Sequence, residues 1–494
     1  MEKKSNLKKS SLKKFLATAS AFAVIAGAAN QAQAVDTVAR NPAAASVLSN
    51  GGHWRTAVGN NTAPVVGANN NIFLVVDQDI NFDQVIGNLG TLYSYGHNKT
   101  VTVTHLNPLQ GVSNDVLQAT VDAVTAANGG AVAAGGVGAA GRLAFNVNGA
   151  LAQEFLGDGV ADAHGNITTN TLSGLGNVTL SDDLAKLKLS GSNVSLGGTI
   201  DGKAAGQGIV EVNATNVQFA GVIGGTKGVQ QLKLNAGKRA ILKANAKFDD
   251  TVGAGGIEIG NASILTVDNG VSITTNDTNA NALSIDAANA NNGTLILQGA
   301  SDVAIGIGTG AALNIVQIND GVVDFKGSAN NGGGNLIANN FVLNHANAVM
   351  KLSTVDHKIV GNIIATNPNQ GKVLIFGANN HEIIGNIGDV NNAINEIRFD
   401  AAANAQTLTI KGALIHTANG VVSDTLGVNG GGKIDIQSDA LSLNSNFGTD
   451  AKHLNEFKIT SNTANNGAAT VTLEAGKSIF TNKFISAAGQ ANIF

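Results

Sequence analysis

The chain contains 494 residues, of which 43% are apolar, 4% aromatic and 13% charged. Globular proteins average about 25% charged residues, so the low charge argues against a helical protein with a Glu- and Lys-rich surface. The high apolar fraction argues against a disordered chain. The single Trp and two Tyr are too few for the aromatic girdles of a membrane β-barrel. With 62 Gly but only 4 Pro, and no three-residue period, the sequence is not that of collagen.

The amino terminus has the three parts of a secretory signal peptide. Six Lys precede an uncharged, mostly apolar run from Phe15 to Ala29, and Ala32 and Ala34 form a small-x-small cleavage pattern. The apolar run is too short to cross a bilayer of about 30 Å as a helix. The pattern predicts a signal peptide over residues 1–34, cleavage between Ala34 and Val35, and export across the inner membrane.

Charge and cysteine content limit the chemistry of the exported chain. Without residues 1–34 the basic side chains fall from 30 to 24 and the acidic ones from 34 to 33, which changes the formal charge from −4 to −9. An acidic chain is a poor ligand for nucleic acid, where basic residues supply the affinity. The chain has no Cys, which excludes disulfides, thiolate zinc sites and cysteine nucleophiles.

The region that follows the signal divides into two segments. Residues 35–105 are predicted to form an N-terminal cap with the first strands, because strand-like alternation begins near Ile72. Residues 106–165 are predicted to be a Gly- and Ala-rich, partly helical insertion. A cap at its start and Gly129 at its end predict a helix over 113–128, and a second short helical run is predicted over 151–156.

Residues 166–494 are repetitive. Short strands with alternating apolar residues are separated by turns of Asn, Gly, Asp and Ala. Equivalent apolar residues recur at intervals of 22 or 23, as in the pairs Leu189/Val212, Val212/Leu234, Phe376/Phe399 and Ile436/Ile459. A Gly-x-Ile marker recurs at similar intervals, at the pairs Gly198/Gly221 and Gly361/Gly385.

A period of 22–24 residues, built from three short strands and three turns, matches one rung of a right-handed parallel β-helix. Successive rungs stack about 4.8 Å apart, and alternate side chains point inward to a continuous core. Asn and Gly suit the turns because they tolerate left-handed backbone conformations. The competing interpretation is a series of antiparallel β-sandwich domains, which would show strands every 8–12 residues without this longer period.

No residue pattern makes a convincing catalytic or metal site. The G-x-G-x-x-G match from Gly136 to Gly141 lacks the preceding strand and following helix that dinucleotide binding needs. His381-Glu382 starts like a zinc-protease helix, but the fifth position is Gly385 and the neighbouring Ile residues indicate a strand. The nine His are scattered singly, which predicts surface or turn positions.

Paired carboxylates are relevant because β-helices also host polysaccharide lyases and hydrolases. The best candidates for such an enzyme lie close together in the sequence, at Asp77, Asp79 and Asp83. The remaining acidic pairs are interpreted as solvated turn residues, at Asp182/Asp183 and Asp249/Asp250. Three other acids share no evident rung spacing, at Asp302, Asp324 and Asp356. Asn-x-Ser/Thr triplets, as at Asn177, Asn193 and Asn213, are interpreted as compositional.

Two stretches carry a family resemblance: Gly385-Asn-Ile-Gly-Asp-Val-Asn-Asn-Ala-Ile-Asn-Glu-Ile-Arg-Phe and Leu234-Asn-Ala-Gly-Lys. With the signal peptide and the Gly-Asn-Ile recurrence, they resemble the passenger region of rickettsial surface cell antigens. This family is similar to the outer membrane proteins A and B of those bacteria. The resemblance covers roughly 170–480 and the signal, and it carries over no site residue. It implies an autotransporter, whose β-helical passenger is threaded outward by a carboxyl-terminal membrane barrel. Residues 200–494 show no such barrel, which implies a truncated, split, fragmentary or secreted family member.

The sequence predicts an exported, non-enzymatic protein that lies at the cell surface or outer membrane or is secreted. It would act as an adhesin or surface-layer component, without cofactor, metal or catalytic residues. The expected partners are a host-cell receptor, the extracellular matrix or laterally associated copies, with the outer membrane involved by association only. Two alternatives stay open, a carbohydrate-active β-helix enzyme and a purely structural layer protein.

Overall fold

The computed structural model describes most of the chain after residue 174, in the ranges 175–249, 255–275, 283–327, 334–400, 405–424, 430–438, 440–460, 469–486 and 491–493, together with Leu172 and short strands nearer the amino terminus. These residues form an all-β parallel solenoid, that is, a β-helix, of about 11 turns, and no helix occurs among them. The chain divides into two compact units, residues 1–203 and 204–494. The predicted fold class is confirmed.

The first unit contains two columns of parallel strands. One column stacks β1, β4, β6, β8, β10 and β12, and the other stacks β2, β5, β7, β9, β11 and β14; β3 pairs antiparallel with β1. The strands are β1 Thr37–Ala39, β2 Ser46–Val47, β3 Trp54–Thr56, β4 Ile72–Leu74, β5 Ile80–Phe82, β6 Leu89–Ser94, β7 Thr100–Val103, β8 Leu109–Ser113, β9 Leu143–Val147, β10 Ala152–Gly157, β11 Leu175–Leu180, β12 Lys186–Gly191, β13 Asn193–Leu196 and β14 Ile200–Gly202.

The second unit is a three-sided solenoid, and each rung contributes one segment to each side. Its described strands are β15 Ile209–Val212, β16 Asn216–Phe219, β17 Gln231–Leu234, β18 Arg239–Leu242, β19 Ala246–Lys247, β20 Gly256–Ile259, β21 Ile264–Val267, β22 Ile273–Thr274, β23 Ser284–Ala287, β24 Asn292–Leu297, β25 Ser301–Val303, β26 Gly306–Ile307, β27 Leu313–Ile318, β28 Val322–Phe325, β29 Asn335–Leu343, β30 Val349–Leu352, β31 His357–Ala365, β32 Gln370–Ile375, β33 His381–Ile384, β34 Ile394–Phe399, β35 Thr407–Ile410, β36 Leu414–His416, β37 Val421–Ser423, β38 Lys433–Ile436, β39 Ala440–Asn444, β40 Glu456–Ile459, β41 Ala469–Leu473, β42 Phe484–Ser486 and β43 Ala491–Ile493.

We number the three sides of the second unit in chain order. Face 1 consists of β15, β17, β20, β23, β26, the first halves of β29 and β31, β33, β35, β38, β40 and β42. Face 2 consists of β16, β18, β21, β24, β27, the second halves of β29 and β31, Ile387, β36, β39, β41 and β43. Face 3 consists of β19, β22, β25, β28, β30, β32, β34 and β37, continued by single bridges at Ile223 and Phe447.

The core consists of inward-pointing side chains stacked one rung above another. Strand after strand shows the same alternation, as in β17, where Leu232 and Leu234 are buried and Gln231 and Lys233 are partly exposed. Nine Phe are among the largest fully buried side chains in the described part of the chain. Burying one large apolar side chain contributes about 2 kcal/mol, so stability accumulates along the stack.

The rungs of the second unit differ more in length than the predicted 22–24 residues. Stacked partners are 22 residues apart at Val212 and Leu234, 28 apart at Ile259 and Ala287, and 29 apart at Ile307 and Leu336. Long connections occur at two corners: 275–283 and 326–334 lead from face 3 back to face 1, and 460–468 leads from face 1 to face 2. Variable connections therefore weaken the sequence period without breaking the stack.

Two further sequence predictions are wrong. The predicted short helix over 151–156 is strand β10, which pairs parallel with β12. Phe376 is not the inward partner of Phe399, because Ile375 occupies that position and Phe376 lies just beyond the strand with 37% of its surface exposed. The signal peptide over 1–34, and the helix predicted over 113–128 apart from Ser113 in β8, lie outside the described residues.

Candidate interaction faces

The Gly-x-Ile markers have a physical basis at the corner between faces 1 and 2. A Cβ atom at Gly385 would lie 2.2 Å from the carbonyl oxygen of Gly361, so the backbones approach too closely for a side chain. The Asn362 side chain accepts a hydrogen bond from the Asn386 N–H at 3.0 Å, and Asn386 accepts one from Ala413 at 2.9 Å. Each marker therefore joins one rung to the next.

The two pairs of markers lie on different sides of the solenoid. Ile363 bridges to Ile387 on face 2, whereas Ile223 bridges to Ala246 on face 3. Ile200, the partner marker of Ile223 in the sequence, pairs with Val178 in the first unit. Ile363 and Ile387 are stacked partners, whereas no described pairing joins Ile200 to Ile223, so the markers do not define one common repeat along the chain.

Face 1 carries several ion pairs that join one rung to the next. Lys233 lies 3.0 Å from Glu258, Lys483 lies 3.1 Å from Glu456, and Lys411 forms a close ion pair with Glu382. Exposed pairs of this kind contribute about 0–1 kcal/mol each, because water screens them and two long side chains lose freedom. Their main consequence is a charged outer surface with locally balanced sign.

Face 3 contains a more buried charge network around Glu396. Its carboxylate accepts a hydrogen bond of 2.9 Å from the Arg398 Nε and lies 3.1 Å from the Lys372 Nζ, while Arg398 also contacts Asp424 at 2.9 Å. Burial alone would raise the pKa of Glu396, but the hydrogen bonds from Arg398 and Lys372 outweigh it and lower the pKa. The carboxylate is therefore a structural ion rather than a proton donor.

Asp302 and Asp324 also belong to face 3, where they are register partners in adjacent rungs 22 residues apart. The prediction that they share no rung phase is wrong. Asp302 lies 2.8 Å from Lys326, and Asp324 lies 2.9 Å from Lys351 and accepts a hydrogen bond from Ser353. The hydrogen bond to Asp302 raises the pKa of Lys326 despite partial desolvation. Both carboxylates are held in ion pairs.

Face 2 differs from its neighbours in carrying almost no charge. From β21 to β31, each of five successive rungs presents one outward Ile or Val beside one outward polar residue. These pairs are Ile264/Thr266, Thr294/Ile296, Ile315/Gln317, Asn340/Val342 and Asn362/Ile364. In the preceding rung Arg239 is partly exposed, but Ile241 is buried, with 6% of its surface exposed. Among all outward strand positions described on this face, Arg239 is charged and none is Lys, Asp or Glu, and the ion pair Lys243–Asp268 lies immediately after β18 and β21 at the edge of the face.

A buried histidine pair, missed by the sequence analysis, lies inside face 1. His357 and His381 are register partners 24 residues apart, each 2% exposed, with ring centroids 5.4 Å apart. The His357 N–H donates to the His381 Nδ1 at 3.2 Å, so the neutral His381 ring carries its proton on Nε2. The prediction that each His lies at the surface or in a turn is wrong for these two, and their rung spacing was the available signal.

The environment of this pair disfavours positive charge. Burial lowers the pKa of His357, against the opposing effect of backbone hydrogen bonds at Ser353, Phe325 and Gly334. Burial and the neighbouring His357 lower the pKa of His381 to about 3. The two rings are therefore neutral core residues near pH 7. The residues that the structure describes include no group of three or more His, Asp or Glu arranged to hold a metal ion.

Most other sequence candidates occupy turns or lie outside the described residues. Asp182 accepts a hydrogen bond from the Leu184 N–H at 2.9 Å, Asp249 accepts one from Gly228 at 3.0 Å, and Asp356 accepts one from Asn380 at 2.8 Å. His381-Glu382 begins strand β33, as predicted. Positions outside the described residues are Ala32, Ala34, Val35, Asp77, Asp79, Asp83, Asp250 and Gly136 to Gly141.

Comparison with known proteins identifies no relative. No family model, no curated protein and no solved structure matches the chain. Among the described residues, no helix combines the length and apolar character needed to span a membrane.

Proposed function

We propose that this chain is an exported, non-enzymatic protein that acts outside the cell as a rigid adhesin or surface-layer component. The observation that carries the proposal is the stacked parallel solenoid, which presents long, continuous faces. A structure in which each rung binds only its neighbours can extend without a globular core, which suits the display of binding surfaces. The signal-like amino terminus adds the export step.

The arrangement of the acidic residues also supports this proposal over a carbohydrate-active enzyme. A glycoside hydrolase needs two carboxyl groups on either side of a substrate, with one of them held protonated. Asp302, Asp324 and Glu396 instead form ion pairs with Lys or Arg, and the pKa of Glu396 is lowered. Carboxylates paired in this way join neighbouring rungs, and the lowered pKa of Glu396 keeps that carboxylate ionised.

External protease treatment of whole cells tests the proposed location. We expect the full chain to be degraded in intact cells while a cytoplasmic marker protein survives, and we expect amino-terminal sequencing of the surface fraction to start at Val35. A matched variant that lacks residues 2–34 should stay inside the cell and survive the protease. Survival of the unaltered chain in intact cells would overturn surface exposure.

A further inference from the structure

We propose that face 2 of the second unit is the contact through which two copies of this chain associate side to side. This inference rests on the proposed function for the location outside the cell. The contact itself rests on the composition of face 2. Face 2 is the side of the unit whose described outward strand positions carry a single formal charge, on Arg239. It is therefore the side whose desolvation against a partner costs least.

The composition of face 2 suits contact with a copy of itself. Each rung from β21 to β31 places one Ile or Val beside a neutral Thr, Asn or Gln. From Ile264 through Ile296, Ile315 and Val342, the apolar residue alternates between the two outward positions. Two such surfaces meet without like charges, and the branched side chains of one can pack between those of the other.

The charges elsewhere on the chain favour the same contact. The chain without its predicted signal carries 24 basic and 33 acidic side chains, so two copies repel each other overall. Faces 1 and 3 carry the ion-paired ladders, including Lys233–Glu258 and Lys351–Asp324, whose burial would cost desolvation energy. Contact through face 2 leaves those ladders in water.

The area of face 2 is sufficient for a stable dimer. Its eleven rungs from Asn216 to Thr472, each rising about 4.8 Å and about four residues or 13 Å wide, present about 700 Å². Two copies would bury about 1,400 Å² in total, within the roughly 1,200–2,000 Å² of specific interfaces. Smaller patches would not reach this range, so most of the face must take part.

Analytical ultracentrifugation of the purified full chain tests the contact. We expect a dimer at about 10 μM, the weak end of the affinities of interfaces of this size. The double variant Ile296→Lys/Ile315→Lys should weaken dimerisation roughly tenfold or more, because two unpaired charges must then be buried. Ile384→Lys places the same charge at an outward position of face 1 and should leave the dimer unchanged. A monomer at all concentrations, or equal effects of the two variants, would overturn the proposal.

A cysteine variant keeps the test valid even if the lysine variants fold poorly. The chain contains no Cys, so Val342→Cys introduces a single thiol in the sixth of the eleven rungs, close to any two-fold axis that relates the two faces. We expect oxidation to cross-link Val342→Cys into a covalent dimer, and the matched variant Ile384→Cys to remain monomeric under the same conditions. Equal cross-linking of the two variants, or none of either, would overturn the proposal.

Salt dependence separates this contact from association through the charged faces. A contact made by uncharged residues should persist when NaCl is raised from about 0.15 to 1 M, where the Debye length falls to about 3 Å. Dissociation in 1 M NaCl would assign the contact to face 1 or face 3 and overturn the proposal. These measurements use purified protein, whereas the protease treatment uses whole cells. The dimer contact can therefore be disproved while surface exposure is supported, and surface exposure can be disproved while the dimer contact is supported.

Discussion

At the scale of single residues, the least expected feature is a pair of imidazoles in an aliphatic core. His357 and His381 occupy inward positions in adjacent rungs, and the next register partner after His381 is Leu408. Burial disfavours the charged form of both rings, and it lowers the pKa of His381 to about 3. The pair therefore makes the stability of this part of the solenoid depend on pH.

Lowering the pH should destabilise the protein through this pair. In the unfolded chain His381 has an ordinary pKa of about 6.5, so its stability contribution is present above that value and is lost as the pH falls toward the folded value of about 3. Between pH 7.5 and pH 5, His381 alone should lower the free energy of unfolding by about 2 kcal/mol. Urea unfolding of His381→Leu should show a pH-dependent loss smaller by that amount.

The control for this prediction is a histidine outside the core. Because the His345 side chain is 49% exposed, His345→Gln removes an imidazole without disturbing the buried pair, so the pH-dependent loss caused by that pair should persist. If His381→Leu and the unaltered protein lost equal stability between pH 7.5 and pH 5, the buried pair would not be the source of the pH dependence.

At the scale of structural elements, the contact between successive rungs at the corner of faces 1 and 2 requires glycine at specific positions. Gly361 and Gly385 have φ angles of 135° and 151°, which side chains rarely adopt. A Cβ atom at Gly361 would lie 1.8 Å from the carbonyl oxygen of Ala338, and one at Gly412 would lie 2.1 Å from that of Gly385. The neighbouring backbones must separate to admit any side chain here.

Gly385→Ala should therefore be strongly destabilising. We expect a loss of about 3 kcal/mol in the free energy of unfolding, from backbone strain and from displacement of the Gly361 carbonyl. Gly237→Ala is the matched control, because Gly237 has a positive φ of 71° but no atom within 4 Å of an added Cβ. Its expected loss is about 1 kcal/mol, the cost of the conformation alone. Equal losses in urea denaturation would show that close approach is not the cause.

At the scale of the whole molecule, the solenoid behaves as a stack in which each rung depends on its two neighbours. Phe341 is fully buried in the middle of the second unit, between rungs on both sides. Phe484 stacks on Phe457 with a centroid distance of 5.8 Å, yet 43% of its surface is exposed. Removal of the same ring should therefore have different costs at these two positions.

Phe341→Ala should lower the free energy of unfolding by about 3–5 kcal/mol, because it leaves a cavity in a closely packed core. Phe484→Ala should lower it by less than about 1 kcal/mol, because the ring is already partly in water and can be replaced by solvent. Urea denaturation followed by circular dichroism measures both. Comparable losses would argue against a stack whose stability is set locally.

The sequence determined the fold class through alternation and spacing. Alternating residues such as Leu232 and Leu234 predict strands with one buried side, and the intervals from Val212 to Leu234 and from Ile436 to Ile459 are true register pairs. The interval between the Gly-Asn-Ile markers at Gly361 and Gly385 also matches a true stacking interval, at which the two backbones approach closely. These features involve residues within one strand or in two adjacent rungs, so the sequence alone can show them.

The tertiary structure alone decided which side chains share a face. Connections of different length shift the register from 21 to 30 residues per rung, so a fixed period misplaces residues such as Phe376. The near absence of charge on face 2 depends on all of these register shifts together, because the residues of that face come from rungs of different length. The spacing between two adjacent register partners can be read from their residue numbers. The composition of a face built from eleven rungs depends on the length of every connection between those rungs, which only the folded structure shows.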